Sequence, residues 1–488
     1  MGRRNWTWAG LLAAAVAGGA VVTIAGPLNP PAGPVASTYK TLAEVEPRIV
    51  VNATNTPASA TGVFRISQPG SYYLAADVIG VAARNGIEIA SNDVTLDLRG
   101  FNVRGVVGSS LHGIVAIGVR TGVVVKNGTI RGWGQTGLNL NVAGNAIDAY
   151  TIEGVTSCGN SLEGFFVRGR GVITNCVAAA NVREGFIVSD GVVVRGCAAS
   201  ANGLAGFIAT TGCVFENCTS RQNGSGGFAL AGGATGLHVY SACSATGNTG
   251  DGFVTFENAL LTNCSASGNT GRGIACGVRS LVRGCTASQN GQDNIVVSGF
   301  SSVIECVANN STSGSGISTS GSQCIIRACV ANGNAQDGIR GSDRANVIDC
   351  VASLNGQNGI RANFVGSVRG CFAEANSNCG IFCEAGGLTD VIGNSCSGNG
   401  VGAGVNGAGI RIGVNGCRVE QNQCSQNYRG LDVAGSRNII VSNRCVNNSN
   451  SDFTIASMNT FGPIITAQGV GDLAGVAGAN HPQANFRY

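Results

Sequence analysis

Residues 350–370 read CVASLNGQNGIRANFVGSVRG, and Cys371 begins the same phrase again. The returning cysteines are Cys176, Cys197, Cys218, Cys243, Cys264, Cys285, Cys306, Cys329, Cys350, Cys371, Cys396, Cys424 and Cys445, with Val155 in the same place one repeat earlier. Of the thirteen intervals from Val155 to Cys445, nine are 21 residues and four are longer by two to seven. The longer intervals read as loop insertions into a constant frame. A short apolar run precedes each cysteine, as in VVVRGC and CIIRAC, and the residue just before it is often Gly, Asn or Asp, which suits a bend at positive φ. Asparagine falls five places after the marker in eleven of fourteen repeats, from Asn160 through Asn376 and again at Asn450. Then comes Gly with Phe or Ile, as in Gly185-Phe186, Gly206-Phe207 and Gly359-Ile360.

Three short strands and three bends in 21 residues do not fit a helical solenoid, whose units are longer and carry helical periodicity. They fit one coil of a parallel β-helix, each coil stacking on the last at about 4.8 Å. The expected fold is all-β, a right-handed single-stranded parallel β-helix of roughly seventeen coils over residues 84–455, a rod of about 80 Å. The cysteines are expected to form one inward ladder of small apolar side chains, and the asparagines to stack at a bend. Segments NDVTLDLRGFNVRG and TGVVVKNGTIRGWG read as earlier coils, with Phe101 and Thr129 near the marker place. Residues 39–83 are expected to cover the first coil and residues 456–488 the last, because a bare end exposes core and strand edges.

Composition agrees. Glycine supplies 77 residues but proline only 9 and charged residues 11%, which excludes collagen and a highly charged disordered chain. The net charge of +4 is spread thinly, so no nucleic-acid footprint is evident. At the N-terminus, Arg3 and Arg4 precede an apolar stretch from Trp8 to Ala25. That is the pattern of a signal peptide or N-terminal anchor over residues 1–26, followed by a Pro-rich linker, 27–38. The expected location is extracytoplasmic: periplasmic, secreted or cell surface, with membrane contact only through this segment.

The coil pattern, with I-x-x-C where relatives often carry I-x-x-N, resembles the right-handed parallel β-helix of the pectate-lyase-like superfamily. More narrowly, GVFRISQPGSYYL (62–74), VTLDLRGFNVRG (94–105) and the ending HPQANFRY (481–488) resemble a group of exported bacterial β-helix repeat proteins. The superfamily holds pectate lyases, polygalacturonases, alginate epimerases and phage tailspikes as well as non-catalytic surface proteins. The resemblance therefore implies a fold and leaves the activity open.

Twenty cysteines in an exported chain invite disulfides. Stacked residues point the same way, however, with Cβ atoms farther apart than a bridge prefers. The expectation is buried, unbridged thiols and no metal site, since no C-x₂-C pair occurs.

If Gly-Phe/Ile opens a strand, the next residue faces outward. The outward stripe then runs Phe166, Ile187, Ile208, Ala229, Val254, Ala275, Val296, Ser318, Arg340, Arg361, Phe382, Arg411, Asp432. Its apolar first half calls for cover by loops or by another chain, so an oligomer is open. Its second half is the candidate ligand-binding surface. Arg340 and Arg361 on adjacent coils would grip one carboxylate or sulfate of a sugar, Phe382 would offer a ring face, and Glu384 and Arg411 lie beside it.

Catalytic residues are not identified: a pectate-lyase-like site needs several carboxylates for Ca²⁺, and Glu384 with Asp432 are too few. No cofactor is expected, Ca²⁺ entering only under a lyase alternative. A second series, Glu163, Glu184, Asp251, Asp293 and Asp337, precedes the glycines; Arg272 falls within it and makes it read as a charge ladder at a bend. Glu163 and Glu184 are expected to be neighbours with no histidine nearby. The function expected is a non-catalytic structural or adhesive protein, with acidic polysaccharide or cell-envelope components as partners. The alternative is a polysaccharide lyase, hydrolase or epimerase.

Overall fold

Each coil is built from three short strands whose order and spacing follow the repeat. In one coil they are Phe186–Ser189, Val193–Arg195 and Ala198–Ser200; in the next, Phe207–Thr211, Val214–Glu216 and Thr219–Arg221. Strands one coil apart pair in parallel, with Phe186 against Phe207, Val194 against Phe215 and Ala199 against Ser220. They form three stacks, called here first, second and third in the order of the chain around the coil. The structure is a computed structural model that describes residues 46–106, 111–141, 147–364, 366–401, 407–466 and 473–488. The expected signal or anchor, the Pro-rich linker and residues 39–45 lie outside these. Arg48–Tyr488 form one compact unit; of the other, Met1–Pro47, only Glu46 and Pro47 are described.

The first stack holds eighteen strands, from Gly62–Ile66 to Ser451–Ile455. Seventeen fall within the expected coil region. The eighteenth lies earlier, in the segment expected to cover the rod's end, where Gly62 pairs with Asn85 and Phe64 with Ile87. The closing residues pair as well. Phe486 aligns with both Arg444 and Ile465, so Asn485–Arg487 of the HPQANFRY ending form a strand between two others.

Bends close the coil. The residue before each marker from Val155 to Cys371 sits in the left-handed region whether or not it is glycine: φ is 52° at Asn175, 53° at Asn217, 56° at Glu305 and 53° at Ala328. Alanine and glutamate there cost about 1 kcal/mol or more, so stacking, not local preference, holds the shape. The asparagine ladder supplies much of that hold. The side-chain N–H of Asn181 donates to Asn202 Oδ1 (2.9 Å) and to the carbonyl of Ser157 (3.1 Å), while its main-chain N–H donates to the same Asn202 oxygen (3.1 Å). Every polar group at the buried bend is thereby satisfied. One rung lacks its amide: Ser311 stands where asparagine is expected. There Asn294, in a place that other coils give to glycine, accepts from Asn290 (2.8 Å) and donates to Asn334 (3.0 Å), carrying the ladder past the gap.

The cysteines form two ladders rather than one. Cys176 through Cys371 occupy the marker row. Ala373 pairs with Cys396, Cys396 with Cys424 and Cys424 with Cys445, so these last three continue the inward alanine row two residues later. The marker row passes instead to Asn394, Asn422 and Asn443, linked by side-chain bonds of 2.9 and 3.0 Å. The cause is an insertion at a loop that happens to preserve a cysteine near the expected spacing. With the frame corrected, Asn399, Asn427 and Asn448, not Asn450, continue the bend ladder. Likewise Gly128, not Thr129, holds the marker place opposite Val155. All twenty cysteines are free thiols, nineteen of them buried.

Inside, Phe165, Phe186, Phe207, Phe228 and Phe253 stack face to face at 4.6–4.8 Å. The coil spacing imposes this near-parallel geometry, while Phe215 and Tyr240 meet the stack edge-on. Gly-Phe/Ile thus buries the aromatic inward and turns the following residue out, which creates the surface described next.

Candidate functional site

The outward row of the first stack has the expected register throughout: Phe166 against Ile187, Ser318 against Arg340, Arg340 against Arg361, Arg361 against Phe382, Phe382 against Arg411 and Arg411 against Asp432. It also extends upstream through Val115 and Glu88 to Arg65. Its apolar half is half-buried rather than bare. Phe166 and Ile187 line a concavity of about 390 Å³ beside the Arg168–Asp190 ion pair (2.9 Å).

The expected double-arginine grip is not free to act. Arg361 bonds to Glu384 on one side and lies 3.7 Å from Asp337, which is buried, on the other. Arg411 stands over the Phe382 ring at 5.7 Å and lies 3.6 Å from Asp432, which Arg429 also reaches at 3.0 Å. Four of the five candidate residues thus engage one another or buried carboxylates. The sequence could place them in rows. It could not show that the carboxylates preceding the glycines lean onto the arginines of the neighbouring row.

Arg340 differs. It is exposed and has no carboxylate within 4 Å among the described residues. It borders a groove of about 320 Å³ lined by the short polar side chains of Ser318, Thr319, Ser320, Ser342 and Asn363, together with Val296 and with Asp293, whose carboxylate accepts the main-chain N–H of Ser315 (2.5 Å). Thr319 and Ser342 bond to each other (2.7 Å). Ser318 Oγ and Asn363 Oδ1 are buried in its lining without a hydrogen-bond partner. Buried polar atoms are ordinarily paired, so this groove offers a hydroxyl and an amide oxygen with bonding capacity to spare. The signal for these residues was the run GISTS (316–320) aligned against Arg340 and Ser342, legible only once the register was known.

The second series is structural. Asp251 accepts the main-chain N–H of Arg272 (2.6 Å) and pairs with its guanidinium (2.7 Å). Glu163 and Glu184 are neighbours bridged by Arg183 (3.3 and 3.5 Å), and Thr136 donates to Glu163 (2.8 Å). The expectation that no histidine lies near them is corrected. His112 occupies the same row two coils before Glu163. Burial holds the pKa of His112 low, with the Thr136 backbone and the Glu163 charge opposing. Both carboxylates are nonetheless shut away, with side chains only 5% and 7% exposed, out of reach of a bulky substrate. Among the described residues no cluster of three or more His, Cys, Asp or Glu suits a metal ion.

Residues 112–259 match the family model described as right handed beta helix region. The coils run in register beyond both ends of that match, and crossovers between parallel strands of one sheet are right-handed in nearly all proteins. The molecule is thus a right-handed parallel β-helix. Among solved structures it is similar to the A-module of a mannuronan C-5 epimerase of Azotobacter vinelandii, at 14% identity over 66% of this chain and 91% of that one, with a TM-score of 0.39. It is also similar to a periplasmic alginate epimerase (12%, 79% and 81%, TM-score 0.33) and to the tailspike receptor-binding domain of siphovirus 9NA (11%, 74% and 76%, TM-score 0.33). No activity passes to this chain from likenesses of that degree. No curated protein matches it.

Proposed function

We propose that this is a non-catalytic, exported β-helix rod that binds acidic polysaccharide along the outer face of its first stack, with the Arg340 groove as the anion-holding subsite. The observation that carries the reading is the coincidence, in one open groove, of an ion-pair-free guanidinium with the unpartnered Ser318 hydroxyl and Asn363 amide oxygen. A uronate sugar offers one carboxylate for the arginine fork and hydroxyls for the rest. The burial of Glu163 and Glu184 favours binding over hydrolysis. Export rests on the signal-like residues 1–26, and cell-envelope glycans are the natural partners of such a rod.

The test is affinity electrophoresis in gels containing polygalacturonate or alginate. Arg340→Ala should weaken retardation roughly tenfold, the usual scale for one charge-assisted contact, while Arg361→Ala, whose charge is already committed, should weaken it far less. Equal mobility of the wild type and Arg340→Ala on both glycans would remove the reading.

A further inference from the structure

The outer row of the third stack, just past the exposed Ile79 that pairs with Arg104, carries a feature found on neither of the surfaces above. Arg104 pairs in register with Arg131, and Arg131 with Cys158. The next position in the same three coils is Gly105, Gly132 and Gly159. Gly132 and Gly159 hold φ of 69° and 62°, and no heavy atom lies within 4 Å of where their Cβ would stand. The result is a shallow concavity of about 380 Å³ with a floor free of side chains, flanked by two guanidinium groups. Both are exposed, and neither has a carboxylate within 4 Å among the described residues. Asp77 feels both charges, but its oxygens already accept from the main-chain and side-chain N–H groups of Asn102 at 2.8 and 3.1 Å.

This is the arrangement that Arg361 and Arg411 lack: cations one coil apart with no side-chain hydrogen bond among the described residues. A separation of about 4.8 Å between row positions lets two planar forks converge on one group, and together they present more N–H donors than the two oxygens of a carboxylate can use. A group with three terminal oxygens uses them better. We propose that Arg104 and Arg131 form an oxyanion-binding site for a sulfate or phosphate group, seated over the Gly105–Gly132–Gly159 floor. The site shares no residue with the Arg340 groove and stands or falls apart from it.

Cys158, the one cysteine of twenty that is not buried, lines the same concavity and reports on its occupancy. The full-length protein is treated with a maleimide at constant ionic strength, alone or with inorganic phosphate, inorganic sulfate or a sulfated tetrasaccharide. Labelling of the Cys158 peptide is then timed by mass spectrometry. Because Arg131 itself acts on the thiol, the readout is the ratio of rates with and without anion for each protein. At least one anion should slow labelling roughly fivefold, and the ratio should return to one in Arg104→Ala with Arg131→Ala. Slowing by the inorganic ions identifies a free anion as ligand, and slowing by the tetrasaccharide alone identifies a sulfated glycan. A rate that no anion changes, or a slowing that survives the double substitution, overturns the proposal. Silence of the other nineteen thiols shows that a variant is folded, and the single substitutions carry the test if the double one is not.

Discussion

The main-chain N–H of Cys371 donates to Asn394 Oδ1 at 2.9 Å, one coil further along the rod. Asn394 in turn donates to the carbonyl of Val368 (2.9 Å) and to Asn422 (2.9 Å). At this point the marker row changes from thiols, whose sulfur meets the backbone at long range (Cys176 N–H to Cys197 Sγ, 3.4 Å), to amides, which bond it at 2.9 Å. Asn394→Ala leaves the buried Cys371 N–H unpaired and takes one bond from the buried Val368 carbonyl, losses worth about 1–3 kcal/mol each. The coils from Phe372 to Ser397 should lose about 3 kcal/mol of protection in hydrogen exchange, while those around Phe186 keep theirs. Uniform loss along the rod would show that the handover is not a local support.

Asn294 and Ser311 form a compensating pair. Asn294→Gly restores the residue usual at its position but breaks the amide ladder between Asn290 and Asn334, and should cost about 2 kcal/mol. Ser311→Asn alone should be neutral or destabilising, because Asn294 already occupies the bonds it needs. The double substitution rebuilds a regular coil and should recover most of the loss. A double-mutant cycle in urea with no coupling between the two positions would refute the compensation.

Thiol chemistry should follow burial. Burial pushes the thiols of Cys276 and Cys379 up to about 12, so neither should react in the native protein at pH 8. Denatured without reductant, the protein should titrate with twenty thiols. Burial also raises the Cys158 pKa, with the Arg131 charge opposing. Its alkylation rate should therefore still be rising at pH 9, and Arg131→Ala should slow it at pH 8.

Glu88 makes the first coils sensitive to acid. Its side chain is fully buried. Burial alone would raise its pKa, but hydrogen bonds from Thr61 (2.6 Å), Asn85 (3.0 Å) and Ser59 (2.7 Å), with Arg65 nearby, bring it below the usual carboxylate value. A depressed folded pKa means that the stabilisation is present above the unfolded value, near 4.5, and is lost as pH falls through the folded one. Hydrogen exchange at Ile87 and Ile89 should accelerate below about pH 4, and Glu88→Gln should flatten that dependence. An unchanged acid profile in the variant would assign the loss to other groups.

What could be read from the chain was whatever a fixed period carries. The 21-residue return, the inward Phe165 to Phe253 row, the bends at Asn175 and Gly196, and the outward row through Arg340 all follow once residues one period apart are neighbours. Where the period was interrupted, similar letters misled. Cys396 looked like the successor of Cys371 because both are cysteines at a tolerable spacing, whereas register follows which side chains face inward and how long the turns are, and Cys396 falls on the Ala373 row.

The sequence by itself determined the parallel β-helix, its coil length and which side chains face in or out, because strand alternation and a constant repeat leave little freedom. Only the tertiary structure decided which charges are free. Arg361 is spent on Asp337 and Glu384 from neighbouring rows, whereas Arg340, Arg104 and Arg131 meet no carboxylate within 4 Å among the described residues. Ion pairing depends on distances of a few ångströms across coils and loops, which one-dimensional spacing does not contain.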